Sequence, residues 1–88
     1  MSTTDELTPR QREVALYMAG GFTKRETAEK LGVTENTVKH HINELFSRFG
    51  AVSAANLIAV LAVRGALSFI ELRVATTAER EPRKRSAA

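Results

Sequence analysis

Asn36, Lys39, His40, Asn43 and Ser47 carry hydrogen-bonding side chains at spacings that, at about 100° per residue, gather them in one sector of a helix. Val38, Ile42, Leu45 and Phe49 gather roughly opposite them, and no acid falls at the centre of the polar sector. Such a face suits phosphate oxygens and base edges, and the helix N-terminus behind it is open to a phosphate. Lys39 is the fixed cation there, fitted to a phosphate or a guanine, while His40 can donate to a phosphate or a base or simply be solvated. The wheel alone fits an ordinary solvated amphipathic helix equally well.

Other chemistries find little to work with. The chain has no cysteine, which removes disulfide scaffolds, thiolate zinc sites and cysteine nucleophiles. His40 and His41 are adjacent, so on a helix they diverge by about 100°, and no third ligand stands near them. No metal and no cofactor is expected. His41 lies towards the core face and reads as a packed, hydrogen-bonded structural histidine. No serine, histidine and carboxylate set, paired acids or phosphate-cradling glycine loop supports an enzyme.

The elements that must position the polar face follow from capping chemistry. Thr8-Pro9-Arg10-Gln11 predicts a helix from Pro9, with a threonine cap, proline in the first turn and a reciprocal glutamine. Gly20-Gly21 ends it, since tandem glycine has low helix propensity and accepts left-handed dihedrals. Thr23-Lys24-Arg25-Glu26 repeats the box and opens a short helix that stops at Gly32. Thr34 caps the third and longest helix, closed by Gly50. Gly32-Val33-Thr34 is thus a short turn between two helices, the helix-turn-helix arrangement whose second member can enter the DNA major groove. Ser53 caps a fourth helix, 54–64, that is apolar on nearly every side and must bury two faces. Leu57, Val60 and Leu61, bordered by Arg64, form a stripe expected to pair with a second subunit, and Ala55, Ile58, Ala59 and Ala62 are expected to face the core. The apolar extension 68–75 is ambiguous between strand and helix and is read as helical. Without pairing of the fourth helix, the segment Leu67 to Val74 is expected to fold back over it.

At 88 residues, 43% apolar and 26% charged, the chain fits one small all-α domain. The expected division is a flexible 1–6, a domain at 7–67, the extension 68–75 and a disordered basic tail 76–88. Residues 71–88 hold five basic and three acidic side chains, so most of the net charge of +3 sits in the tail, and Arg83-Lys84-Arg85 reads as solvated or as a non-specific DNA-affinity arm. The N-terminus lacks the pattern of a signal peptide, and 51–63 falls short of the roughly 18 residues that span a bilayer. No membrane association is expected, and the expected location is cytoplasmic, with the nucleoid when bound to DNA.

Leu7-Thr8-Pro9-Arg10-Gln11-Arg12-Glu13-Val14, the run Gly21 to Val33, and Thr34-Glu35-Asn36-Thr37-Val38-Lys39-His40-His41-Ile42 together resemble the LuxR or GerE type of four-helix DNA-binding domain of bacterial transcription regulators. The resemblance runs without gaps from about Leu7 to Leu67. It implies that the third helix docks in the major groove of double-stranded DNA, that the fourth can mediate a homodimer, and that no catalysis occurs. It also implies base-edge and nearby phosphate contacts at Lys39, His40 and Asn43, and backbone-contacting or capping roles for Thr23, Thr34, Asn36 and Thr37. The chain departs from the family at Ala55, where arginine is usual, and at Thr27, where isoleucine is usual. Leu16 and Leu57 occupy positions that are commonly polar.

The length leaves no room for the receiver or sensing domain that usually precedes this fold, so a single-domain form is expected, with control through abundance, dimerisation or a partner. Leu16 and the 67–75 extension are the surfaces expected for a protein partner. Two other readings compete. A sigma-factor promoter module has a similar helix-turn-helix but no need of the apolar fourth helix. A protein-binding regulator could use that helix to pair with a fuller homologue, without useful DNA affinity of its own.

Overall fold

The computed structural model describes residues 7–77. Among them are five helices and no strand: α1 (Pro9–Ala19), α2 (Lys24–Leu31), α3 (Glu35–Phe49), α4 (Ala54–Val63) and α5 (Phe69–Thr77). The first four begin at the expected caps. Thr8 and Thr23 accept from the backbone N–H of Gln11 and Glu26, whose side chains accept in return from the cap N–H groups. Ser53 Oγ accepts from Asn56 N–H at 3.1 Å, and Asn56 Oδ1 accepts from Val52 N–H at 3.0 Å, so α4 is fixed at its start by side chains of its own first turn.

Two apolar clusters hold the helices together. Leu7, Ala15, Leu45, Phe49, Leu57, Leu61, Ala66 and Leu67 form the larger one, and Val14, Ala28, Val38 and Ile42 the smaller. The α3 stripe supplies both, and Phe46 packs against each. Thr27, in place of an apolar side chain, is buried with its Oγ1 donating to Thr23 O at 2.8 Å, which satisfies the hydroxyl inside its own helix.

Helix α4 is turned the other way from the sequence expectation. Leu57 and Leu61 are 0% exposed in the larger cluster and are therefore unavailable to a second subunit, whereas Ala55, Ala59 and Ala62 face outwards and Val63 is 87% exposed. The wheel of a helix apolar all round does not reveal which stripe goes inwards. Volume decides it, because burying a leucine contributes about 1.5–3 kcal/mol and an alanine much less. Ile58 and Val60 lie between the two faces, half-buried, and Arg64 is exposed.

The extension is helical, and it packs on α1 rather than over α4. Leu67 is buried, and Leu72 packs on the larger cluster along with Leu16. Leu16 is thus half-buried and largely used by the fold, not a free surface for a partner. The helix also includes Thr76 and Thr77, residues assigned to the disordered tail by composition; the remainder of that tail and residues 1–6 lie outside the described residues.

Two devices hold α5 in place. Ser68-Phe69-Ile70-Glu71 is a further capping pair, with Glu71 N–H donating to Ser68 Oγ at 3.0 Å and Ser68 N–H donating to Glu71 Oε1 at 2.9 Å. Arg12 Nη1 on α1 then reaches both Glu71 oxygens, at 2.9 and 2.8 Å. Gly20 supplies the second device. Its φ of −80° is open to any residue, and of the glycine pair only Gly21 takes a positive φ. A Cβ at Gly20 would meet Ala75 O at 2.9 Å, so close approach of the α5 backbone, not helix termination alone, calls for glycine there.

The Ser68 N–H, and then the Arg12 charge, hold the Glu71 carboxyl below its ordinary pKa. A depressed folded pKa means that the stability supplied by ionised Glu71 is complete above the ordinary carboxylate range and is lost as pH falls through the folded value. Glu71→Gln should cost about 1 kcal/mol or less near neutral pH, since the pair is partly exposed, and urea melts taken at falling pH should show wild type converging on the variant. A gap that stayed constant into strong acid would contradict the role given to this carboxylate.

Candidate nucleic-acid interface

Helix α3 is held by its buried stripe, and that constraint turns Asn36, Lys39, His40, Asn43 and Ser47 to solvent together. The turn before it is tight. Gly32 takes φ +72° at the end of α2, and its N–H and that of Val33 close onto carbonyls in the last turn of that helix. Thr34 Oγ1 then accepts from Thr37 N–H at 3.2 Å and lies 3.0 Å from Thr37 Oγ1. Thr34 and Thr23 are exposed and Thr37 is half-buried, and both exposed threonines are occupied as helix caps.

The rings of His40 and His41 lie side by side, their centres 5.9 Å apart and their planes tilted by 57°. His41 is half-buried, and its Nδ1 is buried without a hydrogen-bond partner, so the expected hydrogen-bonded histidine is packed but unsatisfied at that nitrogen. His40 is exposed, with Nε2 3.5 Å from Glu44 Oε2.

Glu44 belongs to a network that the sequence reading did not identify. Gln11, only 7% exposed, uses Oε1 to accept from Thr8 N–H and from Arg48 Nη1, each at 3.1 Å, and its Nε2 donates to Glu44 Oε1 at 3.5 Å. One amide thus joins the start of α1 to the outer edge of α3. The α1 capping box pointed to Gln11 as a local cap, but its partners 33 and 37 residues away are set by packing, and no local pattern carries them.

Between the end of α3 and α4, Phe49, Asn56, Ala59, Val60, Val63 and Arg64 line an open groove of about 430 Å³. Arg64 sits over the Phe49 ring, 5.6 Å from its centre. Among the described residues no group of three or more histidine or acidic side chains gathers as a metal site, and no single helix is long and apolar enough to cross a membrane.

Two helices joined by a glycine turn, the second carrying an outward polar face and followed by a helix bent 57° from it, define a helix-turn-helix domain with a fourth supporting helix. Residues 5–61 match the GerE family, described as bacterial regulatory proteins of the luxR family, and the chain belongs to that family. It is similar to the probable transcriptional regulatory protein SgaR of Hyphomicrobium methylovorum, 34% identical over 56 residues, which cover 64% of this chain and 26% of that protein. It is also similar to the transcriptional regulatory protein LnrK of Bacillus subtilis, at 38% over 63 residues, covering 72% of this chain and 28% of that protein. The tetrathionate response regulatory protein TtrR of Salmonella typhimurium is 40% identical over 53 residues, covering 60% and 26%. The chain therefore spans about a quarter of the length of these relatives. No solved structure matches it with significance.

Because Thr34 satisfies an early N–H of α3, Thr34→Ala should lower the unfolding free energy by about 0.5–2 kcal/mol. Urea melts of the two proteins measure this, and an unchanged midpoint and slope would show that the cap does not support the domain.

Proposed function

We propose that this domain binds double-stranded DNA sequence-specifically as the reading module of a bacterial transcription regulator, with α3 in the major groove. The observation that carries the proposal is the outward polar face of α3, held opposite a buried stripe within a domain of the luxR family. Lys39, His40 and Asn43 are assigned to base edges and neighbouring phosphates. Thr23, Thr34, Asn36, Thr37 and Ser47 border them, and they contact or approach the DNA backbone. Such a regulator works in the cytoplasm, on the nucleoid.

Duplex titrations across a salt series test this reading. Lys39→Ala should reduce the magnitude of the slope of log K against log salt by about 0.9 if the lysine meets a phosphate. If it instead grips a guanine, the substitution should cost about 1–3 kcal/mol and relax one base position. A folded variant with unchanged affinity removes Lys39 from the interface.

Homodimerisation is proposed through the exposed side of α4, where Val60 and Arg64 from the expected interface adjoin Ala59 and Val63 around the groove. A two-fold pair built there would present two recognition helices to inverted half-sites about 10 base pairs apart. Val63→Glu, a change on an exposed side chain, should shift the protein towards monomer in sedimentation equilibrium and weaken binding to paired half-sites more than to one. A wild-type protein that stays monomeric at every concentration, free and on DNA, would overturn the interface.

A further inference from the structure

We propose that Glu44 is a base-specificity residue that accepts a hydrogen bond from the exocyclic amine of a cytosine in the major groove. The inference rests on the proposed docking of α3, and it assigns a role to an acid that affinity for DNA would otherwise disfavour. Glu44 stands one helical turn after His40, beside it on the wheel, and its side chain is 51% exposed at the edge of the polar face. A carboxylate so close to phosphates is repulsive unless it has a partner that only an acceptor can serve.

The carboxylate is aimed. Gln11 Oε1 is engaged by Thr8 N–H and Arg48 Nη1, which fixes the amide so that its NH₂ group faces Glu44 Oε1. Glutamate at position 11 would offer Glu44 a like charge in place of a donor. On the other side, His40 Nε2 lies 3.5 Å from Oε2. Each carboxylate oxygen has two acceptor positions, so each retains one after these contacts. Glu44 thus presents acceptors and no donor, held from behind by α1, with His40 beside it.

The major groove offers two amines to such a group. The adenine amine lies between two acceptors, N7 of its own ring and O4 of the paired thymine, both of which repel a carboxylate. The cytosine amine has an acceptor on one side only, the guanine O6, and a C–H on the other, so cytosine is the base that Glu44 selects.

Selection from a random duplex pool with wild type, Glu44→Ala and Glu44→Gln, followed by titration of the enriched duplexes, tests the assignment. Wild type should enrich a sequence with a cytosine column. Discrimination at that column should fall by about 5- to 150-fold in Glu44→Ala. Glu44→Gln should move the column towards adenine, because an amide can both donate to N7 and accept from N6. Affinity of Glu44→Ala for unrelated duplex should rise at the same time. If Glu44→Ala enriches the wild-type sequence unchanged and merely binds every duplex more tightly, Glu44 is not a reader and the proposal is overturned, with DNA binding intact. If wild type binds no duplex, the DNA reading itself fails and the role of Glu44 falls with it. The half-exposed position makes all three proteins foldable, and thermal melts establish that before selection.

Discussion

Val38, Ile42, Leu45 and Phe49 occupy one side of α3, and the two ends of that stripe enter different clusters, Val38 and Ile42 packing with α1 and α2, Leu45 and Phe49 with α1, α4 and the chain after it. The rest of the domain is arranged around this division. A helix gripped at both ends of its length cannot roll without expelling side chains worth about 1.5–3 kcal/mol each. The direction of its outer face is therefore set by the core, and the residues on that face can vary without altering how they are presented. The proposed function thus uses the side of the helix that the core leaves free.

Polar contacts refine that orientation at one edge. Gln11 is nearly buried yet satisfied at both ends of its amide, and it ties the first residues of α1 to Glu44 and Arg48 near the outer face of α3. Arg48 in turn lies over the Phe49 ring, 5.1 Å from its centre, so the same guanidinium touches the apolar stripe and the polar network. Helix α5 adds a second brace to α1 through Arg12 and Glu71. Helix α1 thereby connects the extension to the outer edge of α3.

Much of this was legible locally. Threonine caps, reciprocated by Gln11 in α1 and Glu26 in α2, and glycines after each apolar period place α1, α2 and α3 from short-range chemistry alone, and the α3 stripe emerges from its spacing. Helix α4 shows where local reading ends. With apolar side chains all round, its wheel gives two inward candidates, and the leucine stripe went to the core instead of to a partner because it fills more volume. The start of α5 was encoded in Ser68 and Glu71, a capping pair overshadowed by the alternation of Ile70, Leu72 and Val74. The salt bridge from Arg12 to Glu71 spans 59 residues, and the contact of Gly20 with Ala75 is set by how two helices approach. Such pairings belong to tertiary packing, which no window of sequence contains.

In the proposed docking, the outward face of α3 is the surface that meets DNA. An amide chemical-shift titration of the isotopically labelled chain with a mixed-sequence duplex at low salt examines every face at once. Perturbations should concentrate on Thr23 and on the segment from Thr34 to Ser47, led by Lys39, His40 and Asn43, and fade as salt is added. Shifts confined to α4 and α5, with the α3 face unmoved, would contradict it.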